Sequence, residues 1–180
     1  RAELIHEVAA ELTELSGQEV FATTADLETW EGAEACAAFA HEKLGRLDIW
    51  INNVGGTIWS KPYIVYPPDQ IQKEINRSLF PSLWCCRAVA PYMVEQRDGV
   101  IVNVSSVATK GLMRVPYGAA KSGVNSLTAN LAWELAEYNV RVCATAPGAT
   151  QAPPRKVQRG PQAQTEEEKV WYQTIFDQSV

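Results

Sequence analysis

Positive charge, histidine and long apolar runs are all scarce in this chain, and each shortage removes a class of function. Sixteen Lys and Arg stand against twenty-one Asp and Glu in 180 residues, a formal charge of -5 with both histidines neutral. A nucleic-acid or anionic-membrane partner calls for the opposite sign, so neither is expected, while a local anion site stays open. No apolar run reaches the roughly 18 residues of a membrane span. No secretory leader pattern is visible, and a cytoplasmic location is the expectation. His6 and His41 lie far apart without a Glu-x-x-His partner and read as surface residues. Cys36, Cys85, Cys86 and Cys143 show neither Cys-x-x-Cys nor Cys/His zinc spacing. Buried free thiols are therefore expected rather than disulfides or ligands, and no metal site. Asn76-Arg77-Ser78 and Asn103-Val104-Ser105 match a glycosylation acceptor by chance, one inside a helix and one inside a strand. At 46% hydrophobic and 21% charged residues, the composition is that of an ordinary globular chain, read as a single domain over 1–180.

What is present is an alternation of two hydrophobic periods. Leu4, Ile5, Val8, Leu12 and Leu15 recur at helical spacing over 2–15, and Ser16-Gly17 closes that helix. A short strand is expected from Glu19 to Thr24, then a helix from Thr29 to Leu44 closed by Gly45. A strand over 47–51 runs into a Gly-rich turn. Pro67-Pro68 opens a long helical region reaching Gln96, within which Pro81 predicts a kink or a junction between two helices. An almost continuous apolar strand follows at 99–106, a helix at 115–138 and a strand at 139–148. The stretch 149–180 is expected to form a substrate-side loop and a last helix near 166–178. Four strands alternate with helices of crossover length, and several strands are apolar on both faces. That pattern predicts an α/β fold, a doubly wound parallel sheet of the Rossmann-like kind, covered on both sides.

Ligands of such sheets bind beyond the carboxyl ends of the strands. The polar residues there are Asp26, Asn52-Asn53 with Gly55-Gly56, Ser105-Ser106 and Pro147-Gly148. Each alone is an ordinary turn signal, whereas four on one rim favour a ligand cleft. Sharper is Tyr117 followed by Lys121 at the start of a helix, which places both side chains on one face. A phenol is a poor base near neutral pH, and an ammonium beside it favours the phenolate. Ser106 offers a hydroxyl to hold a substrate oxygen. The same spacing also suits an amphipathic helix with a half-buried Tyr and a solvated Lys, and the pattern alone leaves the two readings level.

The ordered set NNVGG at 52–56, NVSS at 103–106, YGAAK at 117–121 and PG at 147–148 resembles the short-chain dehydrogenase/reductase family over 19–148. The stretches WINNVGGTIWSKPY, SLFPSLWCCRAVAPYM and VIVNVSSVATKG are similar to the branch acting on the ring cis-diol carboxylates of benzoate and toluate breakdown. The resemblance implies an NAD-dependent oxidoreductase that takes a hydride from such a diol, of the 1,6-dihydroxycyclohexa-2,4-diene-1-carboxylate type, giving a catechol and carbon dioxide. Another alcohol or ketone of the same family, or a non-catalytic fragment, is the alternative. It implies Tyr117 as the base, Lys121 as the lysine that binds the nicotinamide ribose and favours the phenolate, and Ser106 as the serine that orients the reacting hydroxyl. Asp26, with Leu27 beside it, falls at the adenine end of the cofactor. Asn53 and Gly55 fall in the cofactor-side turn, and Pro147 and Gly148 beside the nicotinamide. A homodimer or homotetramer is implied too, built by helices around 82–95 and 117–137, whose apolar residues include Trp84 and Trp133.

Two departures from the family pattern stand out. Ser78 occupies the position where many members carry an Asn that anchors a water of the proton relay. The stretch from Ser106 to Tyr117 is shorter than usual. The resemblance also implies more chain than is given, because the strand, Gly-rich turn and helix that cradle a pyrophosphate do not precede Arg1. A strand at Glu19–Thr24 would then lack its sheet neighbours. Finally, an anionic ring acid approaching a protein of charge -5 needs a local cation. Lys61, Lys110, Arg114, Arg155 and Lys156 are near enough in sequence to the cleft. Arg114, three residues before the base, is placed first as substrate-binding, and Arg155 in the APPRK loop second. A solvated loop position for Arg114 is the alternative.

Overall fold

Ile49–Asn52 (β1), Gly99–Val104 (β2) and Val140–Thr145 (β3) pair in parallel in that order, with Ile49 beside Val100 and Gly99 beside Val140. Parallel neighbours need a crossover, and both crossovers are helical. The first runs through Pro68–Ser78 (α3) and Phe80–Gln96 (α4), the second through Val115–Leu135 (α5). Ahead of the sheet lie Ala2–Ser16 (α1) and Trp30–Leu44 (α2), and Glu166–Asp177 (α6) comes last. This computed structural model describes residues 2–148 and 165–177. Among them no helix is long and apolar enough to cross a membrane, and no three metal-ligating side chains gather.

Local chemistry explains the boundaries. Thr29 caps α2, its Oγ1 accepting from the Gly32 N–H at 3.1 Å, and Gly45 ends it in the left-handed region at φ 76°. Pro81 resolves into a junction: α3 stops at Ser78, Leu79 turns the chain, and the proline sits at the start of α4, where a helix has no use for its missing N–H. The sheet and helices bury Leu47, Cys86, Val89, Met93, Ile101, Leu135, Val140 and Val142 in one cluster. Helix α4 packs on β1 and β2, α5 on β2 and β3, and α2 against α4. Burial alternates along β2, the pattern of a sheet with one well-covered face.

The second face differs from expectation. Ile49 and Ile51 are 66% and 62% exposed, and Val100 and Val102 beside them only half-buried. These residues keep the apolar character of a two-sided sheet, but among the described residues no helix lies over them. Residues 19–24 are not a strand. Val20, Phe21, Thr23 and Thr24 have the right propensity, yet a strand exists only by pairing, and among the described residues none pairs with this segment. The Val20 N–H donates to Thr13 Oγ1 of α1 at 3.0 Å. The cysteine reading holds for Cys85 and Cys86, which are buried, while Cys36 is half-buried and Cys143 exposed on β3. All four are free thiols. His6 is exposed, but His41 is half-buried and stacks on Tyr92, ring centroids 4.6 Å apart.

Candidate active site

Beyond the carboxyl ends of the strands, the chain brings most of the expected residues to one rim. Tyr117 lies in the first turn of α5 and Lys121 one turn on, both buried. The lysine is not the solvated residue of the amphipathic alternative. It is only 3% exposed, its Nζ donates to the Val104 carbonyl at 2.7 Å, and it stands 6.0 Å from the centroid of the Tyr117 ring. Holding an ammonium out of water costs several kcal/mol unless it is well bonded, so its placement beside the phenol is a directed one. Ser106 follows β2 in extended backbone and is buried, its Oγ accepting from the Ala108 N–H at 3.1 Å. Ser105 ties the strand end to its neighbours, its N–H donating to the Thr145 carbonyl at 2.7 Å and its Oγ to the Lys121 carbonyl at 3.2 Å. The Val107 N–H donates to the Pro147 carbonyl at 3.2 Å, which fixes Pro147 and Gly148 on the same rim.

The turn after β1 closes the cleft from the other side. Gly55 and Gly56 both have positive φ, 135° and 126°. A Cβ on Gly55 would come within 3.4 Å of Lys121 Nζ and 3.4 Å of the Ser78 backbone, so glycine preserves the space beside the ammonium. Ser78 is fully buried and its Oγ accepts from the Gly56 N–H at 3.2 Å, so it clamps this turn. Its hydroxyl hydrogen is still free to be given elsewhere. A shallow pocket of about 220 Å³, counted to its open mouth, lies at the far end between Leu27, Asn53, Val54, Pro81, Ser82 and Cys85. Asp26 precedes it on an exposed turn, one carboxylate oxygen accepting from the Glu28 N–H at 3.1 Å. Largely apolar walls suit a flat base, with the carboxylate of Asp26 next in the chain to the lining Leu27, and a glycine-lined gap beside a buried ammonium suits a ribose. The residues present therefore fit a nicotinamide dinucleotide at both ends. Arg114 is half-buried at the start of α5, next to Tyr117. Arg155 lies outside the described residues.

Three features escaped the sequence reading. Asn52 and Asn103 are register partners on β1 and β2, and both are buried. Asn52 Nδ2 donates to Asn103 Oδ1 at 2.8 Å, and Asn103 Nδ2 to Thr128 Oγ1 of α5 at 3.0 Å, a polar chain from the end of β1 to the helix that carries Tyr117. Tyr66 donates to the Trp59 carbonyl at 2.8 Å, and burial pushes its phenol up, so it stays a donor. Glu74, on α3, is 0% exposed, and its Oε1 accepts from the Ile58 and Trp59 N–H groups, both at 2.8 Å. The signal for Glu74 was there: it falls between Ile71 and Ser78 on the buried stripe of α3, where a charge must have a task.

Burial raises the Glu74 carboxyl above its ordinary 4.5, against the lowering pull of the Trp59 and Ile58 N–H groups, Thr57 and Arg77. The sign follows: the fold holds this proton more tightly than the unfolded chain does. Glu74 thus favours folding fully below pH 4.5, and that contribution is lost as pH rises through the raised value. Glu74→Gln keeps an oxygen for both N–H groups and cannot ionise. The melting temperature of the wild type should therefore fall relative to that of the Gln variant as pH climbs from 4.5 towards neutrality. Parallel melting curves across that range would refute a buried ionising Glu74.

Comparison with known proteins agrees with this geometry. The family model described as short chain dehydrogenase matches residues 1–163. The chain is 56% identical over its whole length to 1,6-dihydroxycyclohexa-2,4-diene-1-carboxylate dehydrogenase of Pseudomonas putida and 50% identical to the protein of the same name from Acinetobacter baylyi. It spans 66% and 69% of the length of those relatives. Among solved structures, a 7α-hydroxysteroid dehydrogenase complexed with NADH and 7-oxo glycochenodeoxycholic acid superposes with a TM-score of 0.76 at 32% identity, covering 82% of this chain and 58% of that one. NAD+-bound xylitol dehydrogenase superposes with a TM-score of 0.78 at 27% identity, covering 82% and 57%. A parallel sheet with a buried Tyr-x-x-x-Lys pair at its rim and a match over nine-tenths of its residues make this chain a member of the short-chain dehydrogenase family.

Proposed function

We propose that the protein oxidises a ring cis-diol bearing a carboxylate, of the 1,6-dihydroxycyclohexa-2,4-diene-1-carboxylate type, with NAD as the oxidant. The observation that carries the reading is the buried Lys121 ammonium beside Tyr117, joined to identity of 50% and 56%, over the whole of this chain, with dehydrogenases named for that substrate. The Tyr117 phenolate takes the proton of the secondary hydroxyl, and Lys121 stabilises the phenolate electrostatically. Ser106 orients the reacting oxygen. Bound NAD would supply the acceptor for the carbinol hydride. Asp26 and Leu27 would hold its adenine end, Asn53 and Gly55 its middle, and Lys121, Pro147 and Gly148 its nicotinamide end. Ser78 holds the Gly55–Gly56 turn and offers its hydrogen to a relay water. The ketone formed stands β to the carboxylate, so loss of carbon dioxide aromatises the ring to a catechol. The test is the growth of NADH absorbance with the diol carboxylate and NAD, with catechol identified as the product. NADH formation from simple secondary alcohols but none from the diol would assign the chain to another substrate of its family.

The location we propose is the cytoplasm, in keeping with four free thiols and no disulfide. We also propose a homo-oligomer. Trp84 is accounted for inside one chain, stacked on Phe80 at 5.5 Å and edge-on to Trp30 at 6.3 Å. Trp133 on α5 is 85% exposed, an unusual position for the largest apolar side chain. Light scattering should give a dimer or a pair of dimers, and Trp133→Lys should shift the mass towards the monomer. A monomeric wild type rejects the assembly.

A further inference from the structure

We infer that Arg114 is the residue that reads the carboxylate of the substrate, held ready for it by a strained backbone turn. This rests on the proposed reaction for the identity of the ring, and on the following geometry for the choice of residue. Met113, immediately before it, is a non-glycine residue at φ 61°, in the left-handed region. That conformation costs about 1 kcal/mol or more and persists only where the surroundings impose it. Here they do: the Met113 carbonyl accepts from the Lys61 N–H at 2.7 Å, with the Tyr66 hydroxyl 3.5 Å away. Arg114 then anchors the first turn of α5, its carbonyl accepting from the Gly118 N–H at 2.8 Å. The strained turn joins the loop after Gly56 to the helix that carries the base.

Arg114 is half-buried, and burial pulls its guanidinium down from its ordinary value against the opposing influence of Tyr117 and Tyr66. Its Nε is buried and donates to nothing. None of the ion pairs among the described residues includes it. A cation taken out of water without a counter-charge destabilises the fold. An anion that arrives with the substrate removes that cost, so binding energy is available here for a carboxylate and for nothing neutral. In the proposed substrate the carboxylate sits on the ring carbon next to the reacting carbinol. A reader of that group must therefore neighbour the proton acceptor without touching the reacting oxygen. Arg114 sits three residues before Tyr117, and its Nη2 lies against Gly111, 3.5 Å from where a Cβ would stand. A guanidinium also matches both carboxylate oxygens in one plane.

The test compares wild type, Arg114→Met and Arg114→Lys in the NAD-bound protein. One arm titrates benzoate and benzamide calorimetrically, because benzoate carries the carboxylate on a flat ring and cannot react. The other measures kcat/KM on the diol carboxylate and on its methyl ester. Benzoate affinity, and the carboxylate-to-ester ratio, should each fall about 10-fold or more in Arg114→Met, the equivalent of one charge-assisted pair. Arg114→Lys should recover part of both, since it keeps the charge and loses the fork. Both quantities are ratios within a single variant or are referred to active sites, so a smaller folded fraction does not mimic the effect. Unchanged benzoate affinity together with an unchanged ratio overturns the assignment. If the wild type oxidises neither diol yet binds benzoate through Arg114, the anion site stands and the diol reading falls.

Discussion

Tyr117→Phe should lower turnover about 100-fold or more while leaving NAD affinity close to that of the wild type. The substitution removes one oxygen from a buried ring in the first turn of α5 and leaves the packing of that ring alone. No other side chain named at the rim replaces it as proton acceptor. Ser106 is a far weaker base, and its Oγ already accepts from the Ala108 N–H. Lys121 is a donor, bonded to the Val104 carbonyl. The loss should appear in kcat and kcat/KM alike, the mark of an interaction made in the transition state. Initial rates of NADH formation at neutral pH, beside a fluorescence titration of NAD, measure both halves. Near-normal turnover by the Phe variant removes Tyr117 from the mechanism.

Lys121→Met should do broader damage. Methionine keeps most of the stem volume and discards the ammonium, so turnover should fall by about 100-fold, and NAD affinity should weaken by about 10-fold. Two partners lose the charge: the phenolate that forms on Tyr117, whose ring centroid is 6.0 Å from Nζ, and the ribose that fits the gap beside Gly55. The two losses separate the roles. A variant that binds NAD normally but turns over slowly keeps Lys121 as the electrostatic partner of Tyr117 and takes the ribose away from it. Retention of both activities would show that this buried ammonium has a structural role, bonded to the Val104 carbonyl, and none in turnover or NAD binding.

The outline of the fold was legible because it is written in local terms. Pro81 announced the junction between α3 and α4, Gly45 the end of α2, and the alternating helices and apolar strands the parallel crossovers. The pair Tyr117 and Lys121 was legible as shared orientation, though only the structure shows the lysine buried and so decides against the solvated reading. Residues 19–24 misled because β-propensity belongs to a segment and a strand belongs to a pair. Cys143 misled for a related reason: it lies on the uncovered side of β3, which periodicity cannot distinguish from a covered one. Glu74 and the Asn52–Asn103 contact joined residues far apart in the chain, and nothing local announces such partners. Arg114 was legible as a charge near Tyr117, whereas the strained turn at Met113 that precedes it was not.

The polar chain Asn52–Asn103–Thr128 has a consequence for how the sheet finds its alignment. Parallel strands slide easily when one apolar residue can replace the next, and Ile49, Ile51, Val100 and Val102 are nearly interchangeable in that sense. A slip of one residue between β1 and β2 would turn every side chain of one strand to the opposite face. It would also carry the Asn52 amide away from Asn103 and leave the buried Asn103 Oδ1 without that donor, at about 1–3 kcal/mol. Apolar contacts alone would charge much less for the mistake. The chain thus proofreads the alignment: a wrong pairing can collapse, but it cannot settle. The correct pairing delivers the Gly55–Gly56 turn and the Tyr117 helix to the same rim at once, because Asn52 leads directly into the one and Thr128 belongs to the other.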